Sequence, residues 1–145
     1  DNISTHQADY KNALKYTFEG IHLTKLFGYH FPRAQLYLKA SEVYSELSEY
    51  ELAASFAFKA LSLAQESNMQ GLMAEINGTL AWIFKDQKDY RQALNFVNES
   101  ERIRTILKDK RGIANCYNTK GLIYMLEGNN ELSISFHQKA LQIRK

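Results

Sequence analysis

Proline is nearly missing from this 145-residue chain; Pro32 is the only one. With so little to remove backbone donors, helix can run almost uninterrupted. Cysteine is as scarce, and a single Cys116 excludes an internal disulfide. It falls on a predicted helix between Asn115 and Tyr117, where a free cysteine ordinarily serves as a small buried hydrophobe. A reactive thiol would need a helper, and Lys120 is the one local candidate. No apolar run approaches the roughly 18 residues of a membrane span, so this segment is expected to make no membrane contact. Residues 1–10 are mostly polar and hold no apolar run, so no signal peptide is expected there. Charge of one sign is missing too. Lys and Arg number 18 against 16 Asp and Glu, leaving +2 scattered along the chain, which argues against nucleic acid as a partner. The compartment stays open between cytoplasm and periplasm.

Chemistry is equally thin. His6, His22, His30 and His137 carry no HExxH spacing and no paired cysteines, so surface or internally satisfied histidines are expected and no metal. The seven glycines are scattered rather than gathered in a phosphate-cradling loop. Ser133 and Ser135 have no His/Asp arrangement that would mark a nucleophile. Glu99, Glu101, Arg102 and Arg104 read as a solvated helix face. No catalytic residue and no cofactor is expected.

What the sequence has is repetition. Residues 111–145 read as two amphipathic helices joined by Glu127-Gly128-Asn129-Asn130, and the pattern recurs at a shift of forty. Gly121 falls on Ala81 and Ser41, and Tyr124 on Phe84 and Tyr44. Ser133 falls on Ala93, Ala53 and Ala13; Phe136 on Phe96, Phe56 and Tyr16. Ala140 falls on Ser100, Ala60 and Gly20; Ile143 on Ile103, Leu63 and Leu23. Small residues stand where helices must approach closely, and aromatics where a gap between them must be filled.

Taken in order, residues 1–8 lack apolar periodicity and read as a frayed lead-in. From Asp9, a second-of-pair helix places Ala13, Leu14, Tyr16, Phe18, Ile21, Leu23 and Leu26 on a broad face. Its missing first helix suggests a chain cut from a longer protein. Pro32 is expected at a first helical position. The helix to about Leu47 turns Leu36, Tyr37, Ala40, Val43, Tyr44 and Leu47 inward. Ser48-Glu49-Tyr50-Glu51 reads as a capping box opening the next helix, and Asp89-Tyr90-Arg91-Gln92 repeats that signal. Lys108-Asp109-Lys110 leads into the last pair. The expected organisation is one array over 1–145, with a truncated repeat at 9–28 and helix pairs at 29–68, 69–108 and 109–145.

Tyr117, Gly121, Tyr124, Gly128, Ser133, Phe136 and Ala140 resemble the small/large pattern of the tetratricopeptide repeat. The second unit matches through Tyr37, Tyr44, Ala53, Phe56 and Ala60, the third through Ala81, Phe84, Tyr90, Ala93 and Phe96. The departures are Asn77 in place of an aromatic, Ser48 and Lys88 in place of the turn glycine, and no proline closing the second helices. The family's usual period of thirty-four becomes forty, about a turn and a half of extra helix per pair. The longer unit resembles repeat regions of bacterial signalling proteins: sensor histidine kinases, cyclases and peptide-sensing regulators. The resemblance implies an all-α fold of about seven helices, a right-handed superhelical stack of antiparallel pairs forming an α-solenoid.

It also implies a concave face lined by the first helix of each pair. Carried over by position, the lining is Gln35, Leu38, Glu42 and Ser45; then Glu75, Gly78, Trp82 and Lys85; then Asn115, Asn118, Leu122 and Met125. The spacing i, i+3, i+7, i+10 puts each set on one helix face. Asparagine amides can bond peptide backbone, and Trp82, Leu38, Leu122 and Met125 offer apolar anchors. Trp82, the sole tryptophan, is the expected centre. With Lys85 as the only cation against Glu42 and Glu75, a strongly acidic ligand is disfavoured. The expected function is a noncatalytic protein- or peptide-binding module, the sensory or scaffolding part of a larger bacterial signalling protein. The alternative is self-association through the repeat ends, giving a homo-oligomer that brings effector domains together.

Overall fold

The computed structural model describes the backbone of residues 2–144 and the side chains of residues 7–143. Among them are seven α-helices and no strand: α1 Asn2–Phe27, α2 His30–Glu46, α3 Tyr50–Glu66, α4 Gln70–Asp86, α5 Tyr90–Ile106, α6 Lys110–Leu126 and α7 Asn130–Arg144. Helix α1 starts at Asn2 rather than near Asp9. The lead-in lacks a packing face but also lacks glycine and proline, so nothing in it halts helix growth upstream of the first apolar position. The side chain of His6 lies outside the described residues. Pro32 is the third residue of α2 rather than the first, still among the four positions whose N–H has no partner inside the helix.

Behind the forty-residue period stands a half-period of twenty. Helices α2 to α6 each have 17 residues, and every turn places one residue in the left-handed region: Gly28, Ser48, Asn68, Lys88, Lys108 and Gly128. Each turn is a Schellman motif. At the first pair, the N–H of Glu49 donates to the carbonyl of Tyr44 at 2.8 Å, and that of Ser48 to Ser45 at 3.0 Å. The same two bonds close α4 through Asp89 and Lys88, and α6 through Asn129 and Gly128. Ser48 therefore ends α2 and does not cap α3. The N-cap of α3 is Glu49, which makes no side-chain capping bond. Asp89 does cap α5, accepting from the Gln92 N–H at 3.2 Å, and Asp109 caps α6 through Gly112.

The chain forms two compact units divided between Met69 and Gln70. In the first, α2 and α3 pack as a pair around Tyr44 and Phe56, whose rings stack 5.5 Å apart at 7°. The small-residue contact is reinforced by Ser41, whose buried hydroxyl donates to the Ala53 carbonyl on the partner helix at 2.7 Å. Helix α1 lies against α2 and buries Thr17, Ile21 and Thr24. Of its expected apolar face only Ile21 is buried. Tyr16, Phe18, Leu23 and Leu26 are exposed, because α2 covers one side of the helix and a broad stripe needs two neighbours.

The second unit repeats the design. Phe84 stacks on Phe96 at 5.3 Å and 17°, and Tyr124 on Phe136 at 5.6 Å and 8°. A core cluster of Ala81, Ala93, Val97, Cys116 and Ile123 joins the two pairs. Where α5 meets α6 the contact turns polar. Lys120 is buried and donates to Glu101 at 2.6 Å, while Arg104 pairs with Asp109. Forty residues earlier the positions of Lys120 and Glu101 hold Leu80 and Leu61. The expected solvated cluster is thus split: Glu99 and Arg102 pair on the surface, whereas Glu101 and Arg104 are half-buried in this junction. Cys116 is buried as expected. Its thiol donates weakly to Ser100, and desolvation pushes its pKa up, which keeps it an inert thiol.

Candidate functional site

The second unit carries a cavity of about 510 Å³ lined by Trp82 from α4, Asn115, Asn118, Thr119 and Leu122 from α6, and His137 from α7. Residues 115, 118, 119 and 122 follow helical spacing and so share one face of α6. Trp82 and Leu122 are the same position in successive repeats, which is why two first helices packed side by side bring them to one place.

Trp82 is 46% exposed. Its ring is held by Lys85, one turn on, whose Nζ lies 3.5 Å from the ring centroid. Lys85 in turn pairs with Asp86 at 3.0 Å. A cation over the indole face, fixed by a carboxylate, keeps the ring from swinging freely. On the opposite wall, Nδ1 of His137 donates to Oδ1 of Asn118 at 3.0 Å. The Thr119 hydroxyl donates to the Asn115 carbonyl within α6, leaving its oxygen lone pairs as acceptors. The cavity offers an aromatic plane and a leucine beside amide, hydroxyl and imidazole groups. That set fits an apolar side chain together with the polar backbone next to it.

Of the residues expected to line a groove, Trp82, Asn115, Asn118 and Leu122 come together here. Glu75 and Met125 are exposed on the same helices but outside this lining, and Gly78 is half-buried. Lys85 serves Trp82 from behind and does not line the cavity. In the first unit, Gln35 and Glu42 are exposed and Ser45 is half-buried. Leu38 is buried to 4% exposure and offers no anchor, a correction to its expected role. A leucine at a register position that holds Gly78 and Asn118 elsewhere finds apolar cover instead of facing solvent. His137 was not expected in a site at all, because the expected lining draws only on first helices and His137 sits on a second one. Its mark in the sequence is that it breaks the register, standing where Val97 and Ala57 stand.

The other described histidines, His22 and His30, stay apart. His22 lies on the outer face of α1, and His30 bonds the Arg33 guanidinium at 3.0 Å. Among the described residues no three His, Cys, Asp or Glu side chains gather as a metal site. Nor does any described helix have the length and apolarity to cross a membrane.

Comparison with known proteins matches residues 114–145 to the tetratricopeptide repeat. No curated protein sequence matches the chain. Several solved structures share its fold. BtubC (BKLC) from P. vanneervenii superposes with a TM-score of 0.84 at 16% identity, over 94% of this chain and 57% of its own. The apo form of RapI gives 0.73 at 18% identity, over 95% and 63%, and MamA 0.63 at 16%, over 93% and 84%. The chain therefore spans about three fifths of the length of the first two. Residues 114–145 thus match a tetratricopeptide repeat, the helix pairs before them are of the same build, and the solved structures share that fold.

Proposed function

We propose that this chain is a noncatalytic protein- and peptide-binding module, and that the cavity of the second unit is where it recognises its partner. The observation that carries this is Trp82. A half-exposed tryptophan, clamped by Lys85 and facing amide and hydroxyl groups across a cavity, is built like a binding hot spot. The ligand is an extended or helical peptide segment with one apolar side chain for Trp82 and Leu122. Its backbone meets Asn115 and Asn118. The forty-residue unit, which resembles those of bacterial signalling proteins, supports a sensory or scaffolding place within a larger protein of that kind. Selection of a displayed random-peptide library against the chain tests this. Selected peptides should bind Trp82→Ala at least tenfold more weakly, about 1.4 kcal/mol or more. Equal binding to wild type and to Trp82→Ala places recognition elsewhere.

A second reading, self-association through exposed helix faces, rests on a different observation. On α1, Tyr16 and Leu23 are 68% and 53% exposed, whereas Ile103 at the position of Leu23 in α5 is fully buried. Ile134 and Leu141 on α7 are exposed as well. Sedimentation over a hundredfold concentration range separates the readings. A dimer abolished by Leu23→Glu or Leu141→Glu favours self-association, and a monomer throughout removes it.

A further inference from the structure

Three positions around the cavity depart from the repeat together. Position 137 is Val97 and Ala57 in the preceding pairs, both buried, and here it is an exposed histidine. Position 118 is Gly78 and Leu38, and here it is an asparagine. Position 121 is Ala81 and Ser41, and here it is Gly121. The third change explains how the first is possible. A Cβ built on Gly121 would lie 2.7 Å from Nε2 of His137, closer than side-chain carbons come to neighbouring atoms. The glycine thus opens the space that the imidazole fills, and the imidazole bonds Asn118. The aromatic stack beside them, Tyr124 on Phe136, is unchanged from the other pairs. The fold does not require these substitutions, since two pairs in the same chain do without them.

We propose that His137, Asn118 and Gly121 form a built recognition element for a neutral acceptor oxygen, the main-chain carbonyl of a bound peptide. This rests on the cavity being the recognition site. Because Asn118 Oδ1 accepts from His137 Nδ1, the amide is held with its oxygen engaged and its two Nδ2 hydrogens left for a ligand. Asn118 lines the cavity, so those donors serve what enters it. The six lining residues include no Lys, Arg, Asp or Glu, and Nδ1 of the His137 imidazole is engaged with Asn118, so no permanent full charge stands there to reward one on the ligand. Trp82 and Leu122 take the neighbouring apolar side chain. His137 is a positioning residue, acting on the ligand through the orientation of Asn118.

The test uses N-acetyl-leucine methylamide and N-acetyl-leucine as neutral and carboxylate probes, with side-chain amide NMR signals of Asn118 as readout. The methylamide should shift the Asn118 amide saturably, and His137→Val should weaken the response at least tenfold. His137→Gln, which keeps an N–H donor there, should retain most of it. The double variant Gly121→Ala/His137→Val writes the Ala81/Val97 pair into α6 and α7. It should melt no lower than wild type while losing the response, which separates recognition from folding. An Asn118 signal that neither probe moves, or a His137→Val variant that titrates like wild type, overturns the proposal. A stronger response to the free carboxylate overturns the choice of a neutral acceptor. If the probes move the Trp82 indole but not Asn118, the cavity stands as the binding site and the role given to His137 falls.

Discussion

The α4–α5 and α6–α7 pairs share a template and differ in what they do with it. Both stack a first-helix aromatic on a second-helix phenylalanine, 5.3 and 5.6 Å apart and nearly parallel. Both turn through a Schellman motif with a left-handed residue, Lys88 or Gly128. Beside the stack, α4–α5 sets Ala81 and Val97 into the core, whereas α6–α7 sets Gly121 under His137 at the rim of a cavity. The shared positions hold the fold, and the departures gather at the cavity. A repeat protein thereby offers a control inside its own chain, since a residue the neighbouring pair lacks is one the architecture does not need.

The largest effect is expected at the shared stack. Phe96→Ala and Phe136→Ala should each cost about 3 kcal/mol, the lower end for losing a packed phenylalanine because both rings are only partly buried. Chemical denaturation measures both. A cost below about 1 kcal/mol at one and not the other would show that the pairs are not held alike.

Next in size is the polar junction between α5 and α6. Lys120→Ala leaves Glu101 half-buried without its partner and should cost about 2 kcal/mol. The double change Glu101→Leu/Lys120→Leu puts in the leucines that stand forty residues earlier in the sequence, at 61 and 80, and should fall near neutral. If the double variant is as unstable as the single one, the ion pair is doing more than filling its place.

Smaller effects are expected at the turns. Lys88→Gly and Lys108→Gly relieve a side chain at positive φ and should each stabilise by about 1 kcal/mol, while Gly128→Ala should destabilise by a similar amount. Melting temperatures that stay put in all three would mean the turns are not under the strain their φ values imply.

Smallest is a pH effect at Asp109. The backbone N–H of Gly112 and then the Arg104 guanidinium hold its carboxyl below the usual carboxylate range. A depressed folded pKa contributes stability that is fully present above the unfolded value and is lost as pH falls through the folded one. Asp109→Asn should therefore lower stability at neutral pH and flatten the acid limb of the stability profile. A profile parallel to wild type below pH 4 would contradict this.

Much of the fold was legible because packing enforces periodicity. Tyr44, Phe84 and Tyr124 recur at forty because each must meet a phenylalanine on the partner helix, and size class survives where identity does not. The Asp89 cap was legible too, since a carboxylate three residues before Gln92 has one natural use there. Ser48 was not. A short polar residue between helices can cap the next or close the last, and only the bonds from Ser48 and Glu49 back into α2 decide which. The half-period of twenty hid for the same reason, because Asn68, Lys88 and Lys108 adopt a conformation that composition assigns to glycine. At the cavity, Trp82, Asn115, Asn118 and Leu122 stand together at positions that the resemblance carried over. Leu38 did not follow, because spacing gives a direction and not what lies in it. His137 did not follow either, because it reaches the cavity from a second helix, α7.

Acrylamide quenching of Trp82, free and saturated with a library-selected peptide, shows directly whether the cavity takes the partner. A recognition cavity predicts ready quenching in the free chain, with strong protection and a blue-shifted emission maximum once peptide is bound. Saturating peptide that leaves both quenching and emission unchanged would show that the partner binds elsewhere and that the cavity is not the site.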